Sequence, residues 1–367
     1  MSSLPSPLIL EKDIPMAHFR SISLIAGSGM ICLTLLPSII GAQVVNPNDF
    51  VTGGAFNSVA GAYTVNTDTL SLTGPSGFFA PGVLSGNIAV FDFASISFNA
   101  GSTLSGTGSH AFALLSRTDA TFAGSIDIRF GPGGFAGGPS FSAANGSGPG
   151  GGAGNPNGAG GGGFGGAGGN GSTNVNQGGA SGGAAYGDLS VLLQGGSGGG
   201  GGGVLGGGNG GGALELGAVN TLSISGSILA DGRRADGSGG GGAGGGLILQ
   251  GNTVMLAASS TLSAQGGPDG VANNSSGGIP GGGGGGGGRI LVETGPAGGF
   301  INTGGTLSVT GGASNTTDGS RAGQAGVITF VQRTPAVPEP GIIALLVGTG
   351  LAGTGFLSRR KKARNRS

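Results

Sequence analysis

Few residues between positions 43 and 337 could move a proton, hold a metal or attack a bond. That span has one histidine, His110, and no cysteine, lysine or tryptophan. It holds twelve carboxylates against seven arginines, a formal net charge of −5. A serine nucleophile needs an adjacent base, and only His110 could serve. It precedes Ala111-Phe112-Ala113-Leu114, which reads as the neighbourhood of a structural strand or turn histidine. The missing thiol rules out cysteine catalysis, disulfides and Cys-based zinc sites in this span. Gly-x-Gly-x-x-Gly matches recur because glycine is so common. None opens a helix after a strand, so dinucleotide binding is not indicated.

The remaining chemistry belongs to carboxylates and arginines. Asp127 and Arg129 alternate on one stretch, and Arg233-Arg234 follow Asp231. Polysaccharide-cleaving sites need paired carboxylates in a groove, and the acidic residues here are dispersed. An enzyme would require folding to gather Asp127, Arg129 and the loop aspartates into one cleft. Asp231, Asp236, Asp269 and Asp318 each stand beside a glycine where a loop begins. Carboxylates with backbone carbonyls suit calcium. The spacing of known calcium loops is absent, however, and turn-forming aspartate is the favoured explanation. No cofactor is expected, with calcium as the alternative. An acidic, lysine-free body also argues against nucleic-acid binding, which needs cationic patches against phosphate.

These residues must be positioned by short strands. Glycine supplies 94 of 367 residues, far above the usual ~7%, and each glycine ordered costs more backbone entropy than any other residue. Order should concentrate in the glycine-poor, alternating, β-branched stretches. These are 63–72, 87–98, 120–130, 188–193, 213–216, 221–229, 246–250, 261–264, 289–293, 305–310 and 327–332. An internal repeat joins an outgoing strand, a glycine-rich loop and a returning strand. The outgoing strands centre on Ile228, Leu262 and Leu307. The returns centre on Leu214, Leu247, Ile290 and Ile328, spaced by 33, 43 and 38 residues.

Such units must stack to bury an apolar face. The fold class expected is all-β: an irregular parallel β-solenoid of β-helix type, its long glycine loops projecting from one edge. A β-sandwich with glycine-rich insertions is the alternative. The expected divisions are an N-terminal β region at 43–130, a glycine-rich region at 131–212 and β repeats at 213–333. The low-complexity tract at 131–187 has little to bury, so mobile loops are expected. Close stacking as polyglycine-type helices is the other possibility.

Both ends read as targeting segments. Residues 1–42 have the layout of a signal peptide: His18 and Arg20, an apolar stretch 22–40, and small residues Gly41-Ala42,. Residues 1–15 form an extra leader if Met16 is the true start. The other end carries Val337-Pro338-Glu339-Pro340, an apolar run at 341–357, and the cations Arg359, Arg360, Lys361, Lys362, Arg364 and Arg366. Seventeen apolar residues reach the lower end of the ~17–25 needed for a transmembrane helix. The basic tail should stay cytoplasmic, leaving the body outside. Segment 334–367 resembles the PEP-CTERM sorting signal. The resemblance covers under a tenth of the chain and concerns address alone. It implies export through the Sec machinery, a C-terminal membrane helix before processing, and recognition by an exosortase.

The functional expectation is an exported structural cell-surface or matrix protein associated with biofilm and without catalytic activity. Exopolysaccharide is the partner suggested by the resemblance. An adhesin or carbohydrate-binding module is the alternative, and a β-helix polysaccharide-active enzyme comes third.

Overall fold

The computed structural model describes residues 45–50, 53–172, 179–203, 205–270, 281–314 and 319–333. The signal segment 1–42 and the sorting segment 334–367 lie outside the described residues. Among those described, no helix is long and apolar enough to cross a membrane.

The fold is nearly all β, with three parallel sheets visited in rotation. The first turn holds β1 (Phe56–Asn57), β2 (Gly61–Asn66), the short additions β3 (Ser71–Thr73), β4 (Phe79–Pro81) and β5 (Val83–Ser85), then β6 (Ile88–Phe93). The second is β7 (Ile96–Phe98), β8 (Ser102–Thr107) and β9 (Ala111–Ser116). The third is β10 (Ala120–Phe122), β11 (Ser125–Asp127) and β12 (Ala213–Ala218). The fourth is β13 (Thr221–Ile224), β14 (Ser227–Leu229) and β15 (Gly246–Gly251). The fifth is β16 (Thr253–Leu256), β17 (Thr261–Ser263) and β18 (Arg289–Thr294), and the sixth is β19 (Phe300–Asn302), β20 (Thr306–Ser308) and β21 (Val327–Gln332).

Sheet one runs β1-β7-β10-β13-β16-β19; sheet two runs from β20 back to β2 and on to β3 and β4; sheet three runs from β21 back to β6 and β5. Among the described residues, only β3, β4 and β5, at the N-terminal end, add antiparallel pairings. This β-helix-like winding places the expected repeat positions on top of one another. Leu214, Leu247, Ile290 and Ile328 form one continuous register across sheet three. Ile228, Leu262 and Leu307 do the same in sheet two.

Side-chain alternation explains the core. Leu214 and Leu216 point inward with Leu222, Ile224, Ile228, Leu247 and Leu249, all buried in one cluster. The first turns add a ladder of rings, with Phe56 stacked on Phe78 at 4.9 Å and edge-on to Tyr63 at 5.5 Å. Sheets one and two face water on their outer sides, so β13 alternates half-buried and buried positions. In sheet three the end strand β21 is largely exposed, whereas the central strands β9, β12 and β15 are covered on both faces and buried throughout. That is why these strands read as nearly unbroken apolar runs. The outer cover comes from Val45, Phe164, Leu189 and Leu193.

Several strand expectations need correction. The stretch 188–193 is a turn, not a strand: Val191 and Leu192 both donate to the carbonyl of Asp188, at 3.1 and 3.0 Å. Its Leu-x-Val-x-Leu alternation also satisfies a one-turn spacing, which puts Leu189 and Leu193 together on sheet three and leaves Val191 exposed. The stretches 87–98, 120–130 and 221–229 are each two strands on two sheets, the last with a corner at Ser225-Gly226, and 63–72 runs from β2 through a turn into β3.

The larger correction concerns glycine. The glycine-rich segments of the third to sixth turns all leave the same corner, after the sheet-two strand and before the sheet-three strand. Their described residues are not mobile loops; they pack into a bundle. Residues 281–288 lie at its centre. Gly283 and Gly286 donate to Ala159 and Gly162, Gly284 and Gly287 to Arg321 and Gln324, and Gly285 and Gly288 to Gly267 and Ala264. The partner segment recurs every third residue, the signature of an extended left-handed helix with three residues per turn and no internal hydrogen bonds. Its carbonyls are met in turn. Gly281, Gly284 and Gly287 accept from Ser172, Gly169 and Gly166; Gly283 and Gly286 accept from Gly241 and Gly244; and Gly285 accepts from Gly312.

All of residues 281–288 are buried. None from Gly282 to Gly288 has a φ in the left-handed region, so these glycines are not there for backbone freedom. They are there for room. A Cβ on Gly283, Gly284, Gly285 or Gly286 would strike a carbonyl of a neighbouring segment: Gly169, Gly312, Gly242 or Gly166 respectively. Low hydrophobicity does not mean disorder here, because this core replaces apolar burial with extensive backbone hydrogen bonding between segments,.

Candidate functional site

Where the bundle departs from sheet two, the first residues after β11, β14 and β17 lie side by side. They line a shallow groove of about 510 Å³ that includes Arg129, Phe130, Asp231, Arg233, Arg234 and Asp236. The backbone under it is pinned. Ile128 donates to Leu229 at 2.8 Å, Arg233 donates to Asn209 at 2.7 Å, and Arg233 accepts from Gly242 at 2.9 Å. Folding therefore gathers residues about a hundred positions apart in the sequence, because the whole 131–212 tract is accommodated within one turn.

The carboxylates there are largely engaged. Asp127 receives Arg129 through Nε at 3.0 Å and Nη2 at 2.6 Å, and also takes its backbone amide at 3.1 Å. The Arg129 hydrogen bond holds the Asp127 carboxyl below its ordinary range against the opposing effect of burial. Arg129 is correspondingly raised, by Asp127 first and with a smaller contribution from Asp231. Asp231 Oδ1 accepts the Gln265 amide at 2.7 Å and the Ser263 hydroxyl.

The arginines are freer. Arg233 lies over the Phe130 ring at 5.8 Å from its centroid, and Phe130 remains 61% exposed. Arg234 Nε donates to the Asp269 carbonyl, at 3.3 Å. Neither forms an ion pair with a carboxylate among the described residues. Sequence reasoning had singled out Asp127, Arg129, Asp231 and Arg233-Arg234 but had passed over Phe130, whose exposure no local pattern signals.

Other chemistry-bearing residues sit elsewhere. His110 Nδ1 lies 2.7 Å from Asn87 Oδ1, while Ser109 donates to Asp68 through its amide at 2.8 Å and its hydroxyl at 2.7 Å. On the outer side of sheet three, Arg117 pairs with Asp92 at 3.2 Å. Burial pushes the Asp92 carboxyl up, partly offset by that arginine. Glu215 is fully buried and accepts the Val45 amide at 3.0 and 3.2 Å. Desolvation pushes its carboxyl up to about 8. Glu293 pairs with Arg333 at 3.3 Å. A second hollow, about 610 Å³, opens at the N-terminal end between Phe50, Phe79, Val83 and Phe93.

Among the described residues, no three groups cluster in a way that could hold a metal ion. Of the four loop aspartates weighed for calcium, Asp231 and Asp236 share the groove, Asp269 contributes its carbonyl to Arg234, and Asp318 lies outside the described residues. The sorting residues Val337, Pro338, Glu339 and Pro340 and the basic tail from Arg359 to Arg366 also lie outside. No family model, curated protein or solved structure matches the chain.

Proposed function

We propose that this is an exported structural protein of a bacterial cell surface or extracellular matrix, sorted by an exosortase and without catalytic activity. Its body is an irregular parallel β-solenoid that carries a rigid polyglycine arm. The observation carrying this reading is the bundle. The amides of Gly283 to Gly288 and most carbonyls of residues 281–288 are hydrogen-bonded to neighbouring segments, and these residues present no side chain inward. Such a construction suits mechanical stiffness and display, and catalysis does not require it.

Three further features support the reading. The groove carboxylates Asp127 and Asp231 are engaged by protein donors, which leaves no evident acid–base pair. The Val337–Pro340 box, the apolar run and the basic tail together form an export address. The body has no lysine, and its acidic balance suits a neutral or sugar-rich environment better than a nucleic-acid one. Exosortase and Sec export are the partners implied, with exopolysaccharide as the surrounding polymer.

A deletion in the native host, combined with mass-spectrometric mapping of the mature C-terminus, tests the reading. The expected result is weakened cell–cell cohesion with unchanged growth, and a terminus at or near Val337–Pro340. Unchanged cohesion, or a terminus at Ser367, counts against it.

A further inference from the structure

We infer that the groove at the root of the polyglycine bundle is a binding site for an anionic, carboxylate-bearing polysaccharide, with Arg233 and Arg234 as its cationic contacts and Phe130 as its apolar platform. This names a ligand class within the exported-surface reading. The chemistry stands on the groove alone.

The argument begins with the distribution of positive charge. In a body of net charge −5 without lysine, Arg117, Arg129 and Arg333 are bound to carboxylates. Arg289 is half-buried against Phe164 and the Tyr186 carbonyl. Arg321 is a single exposed arginine elsewhere, whereas Arg233 and Arg234 are an adjacent exposed pair without a carboxylate partner among the described residues. They stand on a segment whose backbone is fixed by the bundle, so little order has to be gained on binding. Guanidinium groups recognise carboxylates with directional, paired hydrogen bonds. Phe130 lies directly beneath Arg233. An exposed ring next to a cation matches a sugar, whose carbon–hydrogen face packs on the ring while its carboxylate meets the guanidinium.

The same charges disfavour a nucleic acid. Asp231 and Asp236 also line the groove and would repel a closely charged phosphate backbone. A polymer with one carboxylate per sugar can place its charges at the arginines and its hydroxyls at the aspartates.

The test uses the full-length protein in affinity electrophoresis through gels containing alginate, pectate or hyaluronate, with dextran and single-stranded DNA as comparisons. Retardation by at least one acidic glycan is expected, weakening as salt is raised. Arg233→Gln with Arg234→Gln should weaken retention at least roughly tenfold, Phe130→Ala roughly threefold, and Asp236→Asn should strengthen it. Arg321→Gln, an exposed arginine elsewhere, should leave retention unchanged. Melting temperatures equal to the parent's exclude unfolding as the cause. Absence of retention by all three acidic glycans, equal retention by dextran or DNA, or full retention by the double arginine variant would each overturn the inference. None of these outcomes bears on the C-terminal processing or on cell cohesion, so the two readings fail separately.

Discussion

A β-carbon placed on Gly285 would meet the carbonyl oxygen of Gly242 in the adjacent segment of the bundle. The two residues are 43 positions apart in sequence, and their contact is backbone against backbone, with no flexible side chain to yield. Gly285→Ala should therefore destabilise the protein by several kcal/mol, on the order of overpacking in a conventional core or more. Gly299 is the control. A β-carbon there has nothing within 4 Å, so Gly299→Ala should be neutral or stabilise by roughly 0.4–1 kcal/mol through the unfolded chain. Denaturant midpoints of the two variants decide the matter, and equal effects would refute the room-based account of these glycines.

The bundle also predicts protection from exchange. The amides of Gly283 to Gly287 are buried and hydrogen-bonded. They should exchange with solvent as slowly as those of β15, despite their complete lack of side chains. Glycine-selective nitrogen-15 labelling with hydrogen-exchange NMR measures this. Exchange at the rate of an unstructured peptide would restore the picture of mobile loops.

Glu215 gives a pH signature. Its ordinary value is 4.5 and burial raises it to about 8. Between those values the folded state holds a proton that the unfolded chain releases, so stability falls as pH rises through the window. At ~1.4 kcal/mol per unit, the effect is a few kcal/mol in total. Glu215→Gln should flatten the dependence and be more stable than the parent at pH 8. Identical slopes between pH 5 and pH 8 for parent and variant would show that the carboxyl is not held protonated.

Within the stacked core, Ile290 is 1% exposed and lies in register between Leu247 and Ile328. Ile290→Ala should cost about 2–5 kcal/mol. Ile301, at 45% exposure on the edge strand β19, should cost much less. Thermal melts of the two alanine variants test whether the described register carries the stability.

The repeat positions were legible because they obey a rule of spacing along one strand. Leu214, Leu247, Ile290 and Ile328 share a local pattern, and the structure aligns them without slip. The placing of the glycine loops at one edge followed from the same repeat. The third side of the winding was less visible. Strands such as Thr253–Leu256 and Phe300–Asn302 are three or four residues long, too short to register a period. The glycine runs allowed the bundle as an alternative to mobile loops but did not decide it, since its threefold repeat is written in amides and carbonyls that every residue carries. The groove depended on it. Phe130 and Arg233 meet only because the chain from 131 to 212 returns to its starting corner, and nothing near either residue encodes that return.

The threefold screw of residues 281–288 fixes how such a protein can change in length. A partner segment recurs at every third residue, so adding one or two residues to an arm would rotate every later amide away from its acceptor. Adding three restores the alignment and advances the tip by roughly 9 Å. The arms can thus grow or shrink only in whole triplets, and neighbouring arms must change together. The protein's reach from its winding body is set in discrete increments, like the teeth of a ratchet.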